Sequence, residues 1–178
     1  MGQYFTPTFL NTTNQIIAAL DPCEYGSGLK LAGHTRAHTP LMSAVQALLA
    51  LDGGMRLVWA GDCADPDGHD ANVYFGVQER HFVRFAGLVE PDVEANAPAP
   101  QSNPGALGYV CNLDKHVYID NRALPLDDYG WQRTPLPLLT ADAGEPPSSP
   151  ATFGSWARGR IVCSNRCPDA SWTALAPR

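Results

Sequence analysis

The sequence predicts an α+β domain, mainly antiparallel sheet with one well-defined helix packed against it. Three observations predict it. Residues 39–52 carry complete helix punctuation. Short β-rich runs lie on both sides of residue 100, joined by turn chemistry. The order of these pieces recurs, which points to an internal duplication about a pseudo-two-fold axis.

Tyr4 and Phe5 read as the start of a buried strand. In the helix, Thr39 caps and Pro40 suits the first position, where a missing N–H costs nothing. Leu41, Val45, Leu48 and Leu49 then share one face, and Gly53-Gly54 stops the helix. A strand follows, with Met55, Leu57 and Trp59 alternating against Arg56, Val58 and Ala60. Residues 72–86 are ambiguous: Val73, Val77, Arg80 and Arg84 suit a helix, Phe82, Val83 and Phe85 a strand. A helix is expected for the first part. Residues 107–120 read as a hairpin, with Tyr109-Val110-Cys111 and Val117-Tyr118-Ile119 flanking the turn Asn112-Leu113-Asp114-Lys115. A last strand is expected at 156–163, centred on Ile161-Val162-Cys163.

Proline and glycine break the pattern at 90–106 and 142–151, which read as exposed loops. The chain is expected to be a single domain, 1–178, with half-repeats 1–89 and 107–178 joined by the Pro/Ala-rich linker 90–106. Asn11-Thr12-Thr13-Asn14-Gln15-Ile16-Ile17 parallels Asn112-Leu113-Asp114-Lys115-His116-Val117-Tyr118, and Arg56-Leu57-Val58 parallels Arg160-Ile161-Val162. Pro40-Leu41 likewise echoes Pro135-Leu136. Two such units would bury their apolar faces together and leave a groove between them for a ligand.

The 178 residues are 44% hydrophobic and 17% charged, enough for a core. A net charge of −6 argues against nucleic acid as a partner, and Arg158, Arg160 and Arg166 read as a solvated strand edge. With no apolar run of about 18 residues, no membrane span is expected. Met1-Gly2-Gln3-Tyr4-Phe5-Thr6 fits a myristoylation pattern but reads better as the approach to a strand. Five cysteines, an odd count, and no export signal point to a reducing, cytoplasmic setting.

The opening Met1-Gly2-Gln3-Tyr4, the segment Val58 to Asp65, the hairpin turn Asn112 to Lys115 and the segment Gly154 to Ile161 are similar to a family of small uncharacterised bacterial and bacteriophage proteins. That resemblance implies a bacterial or phage domain and carries no activity with it.

The densest set of oxygen ligands is Asp62-Cys63-Ala64-Asp65-Pro66-Asp67-Gly68-His69-Asp70, at a strand exit. Its spacing does not match a calcium loop, and an acidic solvated loop is the simpler reading. Asp62 is singled out for its place beside Trp59. His34, His38, Cys163 and Cys167 make a set that zinc accepts, against the simpler reading of paired histidines and ordinary cysteines. There is no serine elbow, phosphate loop or dinucleotide fingerprint. Cys111 with His116 makes a drawable nucleophile pair on a hairpin that has simpler reasons to hold both. Trp59 and Trp156 lie in or just before matching strands, so facing indoles would stack a planar ligand while Arg56 and Arg160 hold its phosphates, against the simpler reading that each tryptophan packs in its own half-core and each arginine lies outside.

The expected function is therefore a non-catalytic binding protein, engaging a small polar, nucleotide-like ligand or a partner protein. The expected ligand-binding residues are Arg56, Trp59, Asp62, Trp156 and Arg160, with no metal and no cofactor. The rivals are a small hydrolase or transferase using pocket carboxylates around Asp62, and a self-assembling structural protein, a homo-oligomer.

Overall fold

Side-chain alternation builds the sheet, and the register shows how. In the computed structural model, which describes residues 3–51, 53–66, 71–88, 107–144 and 152–176, strand β1 (Phe5–Leu10) pairs antiparallel with β3 (Met55–Gly61). Phe9 faces Leu57 and Pro7 faces Trp59, while Thr8 faces Val58. Successive residues point to opposite faces, so Phe9, Leu57 and Trp59 share one side of the sheet and Val58 and Ala60 the other.

The remaining strands are β2 (Ile16–Ala19), β4 (Tyr109–Asn112), β5 (Val117–Asp120), β6 (Ala141–Asp142), β7 (Gly159–Ser164) and β8 (Thr173–Ala174). Their order is β2-β1-β3-β7-β4-β5-β8, with β6 running parallel alongside β3. The β5–β8 pair is also parallel, and the other pairs are antiparallel. The protein is thus α+β with a dominant sheet. Among the described residues there are four α-helices, α1 (Leu31–His34), α2 (Pro40–Leu49), α3 (Val73–Gly76) and α4 (Leu136–Thr140), of which α2 alone exceeds two turns.

Helix α2 forms where its punctuation places it. The Thr39 hydroxyl accepts the Met42 N–H at 3.2 Å, and Pro40 opens the first turn. It ends at Leu49, earlier than the expected 52, and the chain leaves through Gly53 and Gly54 with φ of +74° and +88°. Leu41, Met42, Val45 and Leu49 are buried against the sheet. They join Phe9, Leu57, Trp59, Val110, Ile119 and Ile161, with Leu136, Leu139 and Trp156 from the second half of the chain, in one core. On the opposite face α3 covers a smaller cluster of Leu10, Val58, Ala60 and Val73. The first part of 72–86, where a helix is expected, holds the short α3, followed by a 3-10 turn at Glu79–His81. Phe82 then bridges Ala19 in parallel, so the β character of that stretch also has a cause.

Both hairpins turn on an asparagine. Asn11 Oδ1 accepts the backbone N–H groups of Thr13 and Gln15, both at 2.9 Å. Asn112 Oδ1 accepts those of Asp114 and Lys115, both at 3.1 Å. A left-handed residue precedes each return strand, Asn14 at φ 61° and His116 at φ 54°. Hairpin β1–β2 lies on one side of the β3–β7 pair and β4–β5 on the other, each with its first strand innermost. Beyond them, Phe82 runs parallel to β2 and β8 runs parallel to β5. The two sides differ in their helices, ten residues in α2 against five in α4, and β6 adds to β3 alone. The linker 90–106 and most of the 142–151 loop lie outside the described residues, as does Met1-Gly2.

Gly54 and Gly26 both have positive φ, but only Gly54 is hemmed in. A Cβ there would sit 2.2 Å from the Ile161 carbonyl oxygen, whereas at Gly26 it meets nothing within 4 Å. Gly26→Ala is expected to lower unfolding free energy by about 1–2 kcal/mol, the cost of a left-handed alanine. Gly54→Ala is expected to cost clearly more, because β3 and β7 must also move apart. Urea unfolding of the two variants checks the order.

Candidate functional site

Arg56 and Arg160, predicted as equivalents, are directly opposite one another in the β3–β7 pair. Opposed residues point to the same face. Leu57 and Ile161 occupy the core face, so the two arginines stand on the other one. Asp114, on the β4–β5 turn, reaches under both. Its Oδ2 accepts the Arg160 backbone N–H at 3.0 Å and lies 3.4 Å from Arg56 Nη1. Arg56 Nη1 also donates to the Arg158 carbonyl at 2.9 Å. Arg158, in a left-handed conformation with φ 62°, pairs its guanidinium with Asp142 at 3.0 Å. The Arg160 guanidinium is exposed and makes no ion pair among the described residues.

The same face continues outward in two rows. Val162, Cys111 and Tyr118 form one, and Ser164, Tyr109 and Asp120 the next. The Tyr109 and Tyr118 rings meet edge to face, 5.8 Å between centroids. Arg122 lies 4.6 Å above the Tyr109 ring, touches its hydroxyl, and pairs with Asp120 at 3.0 Å. The hydrogen bond from Arg122 holds the Asp120 carboxyl below its ordinary range. A hydrogen bond with Cys167 pushes the Tyr109 phenol up, with burial adding to it.

The thiols here are poor nucleophiles. Burial pushes Cys111 up to about 11, and Cys163, fully enclosed on the core side, higher still. Neither is a thiolate at neutral pH. The drawn Cys111–His116 pair is not assembled as a unit: His116 stacks on Trp172, with centroids 4.7 Å apart and planes at 15°.

The other predicted site residues are spent elsewhere. Trp59 is fully buried, and its Nε1–H donates to His34 Nδ1 at 2.9 Å. His34 Nε2 lies 2.8 Å from the Gly28 carbonyl, which can only accept, so Nε2 carries the proton. Both ring nitrogens are thus occupied within the fold. Trp156 is 3% exposed in the same core, and its backbone N–H donates to Leu139. The indoles therefore offer no stacking face. Asp62 Oδ1 accepts the Tyr4 N–H at 3.0 Å, and the Asp62 N–H donates to the Tyr4 carbonyl at 3.0 Å. That carboxylate extends the β1–β3 ladder. Asp67 to Asp70 of the acidic loop lie outside the described residues.

The proposed zinc set is not brought together. His38 bonds Gln132, Cys163 faces the core, and Cys167 reaches Tyr109 on the opposite face. Among the described residues no group of three or more His, Cys, Asp or Glu side chains is placed to hold a metal, and no helix is long and apolar enough to cross a membrane.

Two participants were missed in the sequence: Asp114, and Arg122, which pairs with Asp120 over Tyr109. Asp114 reads in the sequence as turn chemistry alone, because the arginines it meets lie 46 and 58 residues away. No family model, curated protein or solved structure matches the chain.

Burial holds His34 below the ordinary histidine value. The folded state therefore refuses a proton that the unfolded chain takes up near pH ~6.5. Its contribution to stability is complete above that pH and is lost as pH falls toward the depressed folded value. Urea unfolding from pH 7.5 down to 5 is expected to show falling stability, with a shallower decline in His34→Gln.

Proposed function

We propose that the chain is a non-catalytic binding protein that holds a small polar, negatively charged, nucleotide-like ligand over the β3–β7 seam. One observation carries this: the exposed guanidinium of Arg160, without a carboxylate partner among the described residues, stands beside Arg56 at the centre of the sheet. In a chain of net charge −6, such a guanidinium is a ready anion contact, with planar two-point geometry for carboxylate or phosphate.

Asp114 supports the proposal by fixing Arg56 and the Arg160 backbone, so the ligand meets an ordered pair. For a planar group, half-buried Tyr118 takes the place first expected of the indoles. The mirrored strand order on the two sides of the seam supports a duplicated scaffold with the site at its join. The hydrolase alternative has less behind it, because the Asp62 carboxylate is engaged by Tyr4 and the buried thiols are held protonated.

Thermal unfolding with phosphate, pyrophosphate and nucleoside monophosphates tests the proposal. A ligand present at about 100 times its dissociation constant is expected to add ~2.7 kcal/mol. Arg160→Gln is expected to remove that gain and Arg56→Gln to reduce it, with little change in the unliganded midpoint. Absence of stabilisation by every one of these anions would rule the proposal out.

A further inference from the structure

The charges on and beside the β3–β7 seam can be counted from their contacts. Three arginines stand there, Arg56, Arg158 and Arg160, with two carboxylates, Asp114 and Asp142. Asp114 Oδ2 lies 3.4 Å from Arg56 Nη1, and Arg158 Nη2 pairs with Asp142 at 3.0 Å. Arg56 Nη1 is held further by the Arg158 carbonyl at 2.9 Å. Two of the three cations thus have a counter-charge within the fold. Arg160 has none among the described residues. Lys115, the residue after Asp114, is exposed and joins no ion pair among the described residues; its backbone N–H donates to Asn112 Oδ1 at 3.1 Å. The seam itself therefore offers one uncompensated positive charge, in a chain of net charge −6. Arg160 Nη2 lies 3.3 Å from where a Cβ on Gly53 would stand, so the guanidinium is bordered by a glycine turn with no side chain to contribute.

That count decides which anions suit the place. The cost of taking an ion out of water grows with the square of its charge, whereas its attraction to one guanidinium grows only in proportion. A second negative charge on the ligand meets no second uncompensated arginine at the seam. It is also opposed by the Asp114 carboxylate, whose Oδ2 accepts the Arg160 backbone N–H at 3.0 Å. A guanidinium fork engages two oxygens, not three. A terminal phosphate carries about −1.5 to −2 at neutral pH. A diester phosphate or a carboxylate carries a single charge spread over two oxygens.

We infer that the seam selects a singly charged, two-oxygen anion, the phosphodiester or carboxylate of a nucleoside, over a terminal phosphate. The inference rests on the anion-binding reading above and narrows its chemistry. Arg160 takes the two oxygens. Asp114 sets the preference for one charge, because it compensates Arg56 and leaves Arg160 as the single contact for the ligand.

Isothermal titration calorimetry of the full chain at pH ~8, where a terminal phosphate is doubly charged, separates the cases. The ligands share adenosine: its 3′,5′-cyclic monophosphate, its 5′-carboxylate and its 5′-monophosphate, with pyrophosphate alongside. The cyclic ester and the carboxylate are expected to bind about fivefold or more tightly than the monophosphate, and the tighter of the two identifies the group. Arg160→Gln is expected to abolish binding of all four. Asp114→Asn, which leaves Arg56 without its carboxylate, is expected to bring the monophosphate level with the cyclic ester. A purely structural loss would weaken both alike and leave their ratio unchanged, and that result would overturn the inference. So would a monophosphate or pyrophosphate that binds the wild type as tightly as the singly charged ligands and still depends on Arg160, although the site itself would then stand. Binding by none of the four, or binding indifferent to Arg160→Gln, would overturn the site and the inference together.

Discussion

The seam between β3 and β7 is three residue pairs long, Met55 with Ile161, Arg56 with Arg160 and Leu57 with Gly159, and both sides of the sheet take their position from it. Its closeness is enforced by backbone. Gly54 leaves no room for a side chain against the Ile161 carbonyl, and the Arg158 N–H donates to the Leu57 carbonyl at 2.8 Å where the pairing begins. On the core face, the seam carries Leu57 and Ile161 into contact with the helices. On the other face it presents two arginines that would repel one another. Asp114 offsets that repulsion from a turn 46 residues upstream of Arg160. One short pairing thus sets the depth of the core and the charge of the exposed centre together.

Much of this was legible because the signals were local. Thr39, Pro40 and the leucine spacing specify α2 within one stretch of chain, and Asn112 with Asp114 specifies a turn within four residues. Arg56 and Arg160 were singled out by a different route, comparison of the two halves. The fold then places them opposite one another. Trp59 reads as core from its place in the strand alternation, but its partner was not legible, because His34 lies 25 residues away on a four-residue helix with no strong pattern. The contact at Asp62 was hidden for the same reason, since the Tyr4 N–H that its Oδ1 accepts is 58 residues distant. Strands β6 and β8, two residues each, carry too little periodicity to read.

Charge is distributed with a consistent logic. Arg84 is shared between Glu24 and Glu79, Arg122 sits on Asp120, Arg133 on Asp127 and Arg158 on Asp142. Pairs at that level of exposure contribute little to stability individually. Their effect is to fix geometry, as Asp114 does for the seam. Arg36, Arg80, Arg160 and Arg166 stand outside this scheme, with no carboxylate partner among the described residues.

The rims of the sheet have a consequence of their own. One ends in the single Phe82–Ala19 bridge and the other in the two residues of β8. Among the described residues each margin is therefore short: part of β2 beside the Phe82 bridge on one side, and the two residues of β8 with the end of β5 on the other. A strand arriving from another molecule would find only a few main-chain groups to pair with at either rim, which limits lateral growth through the backbone.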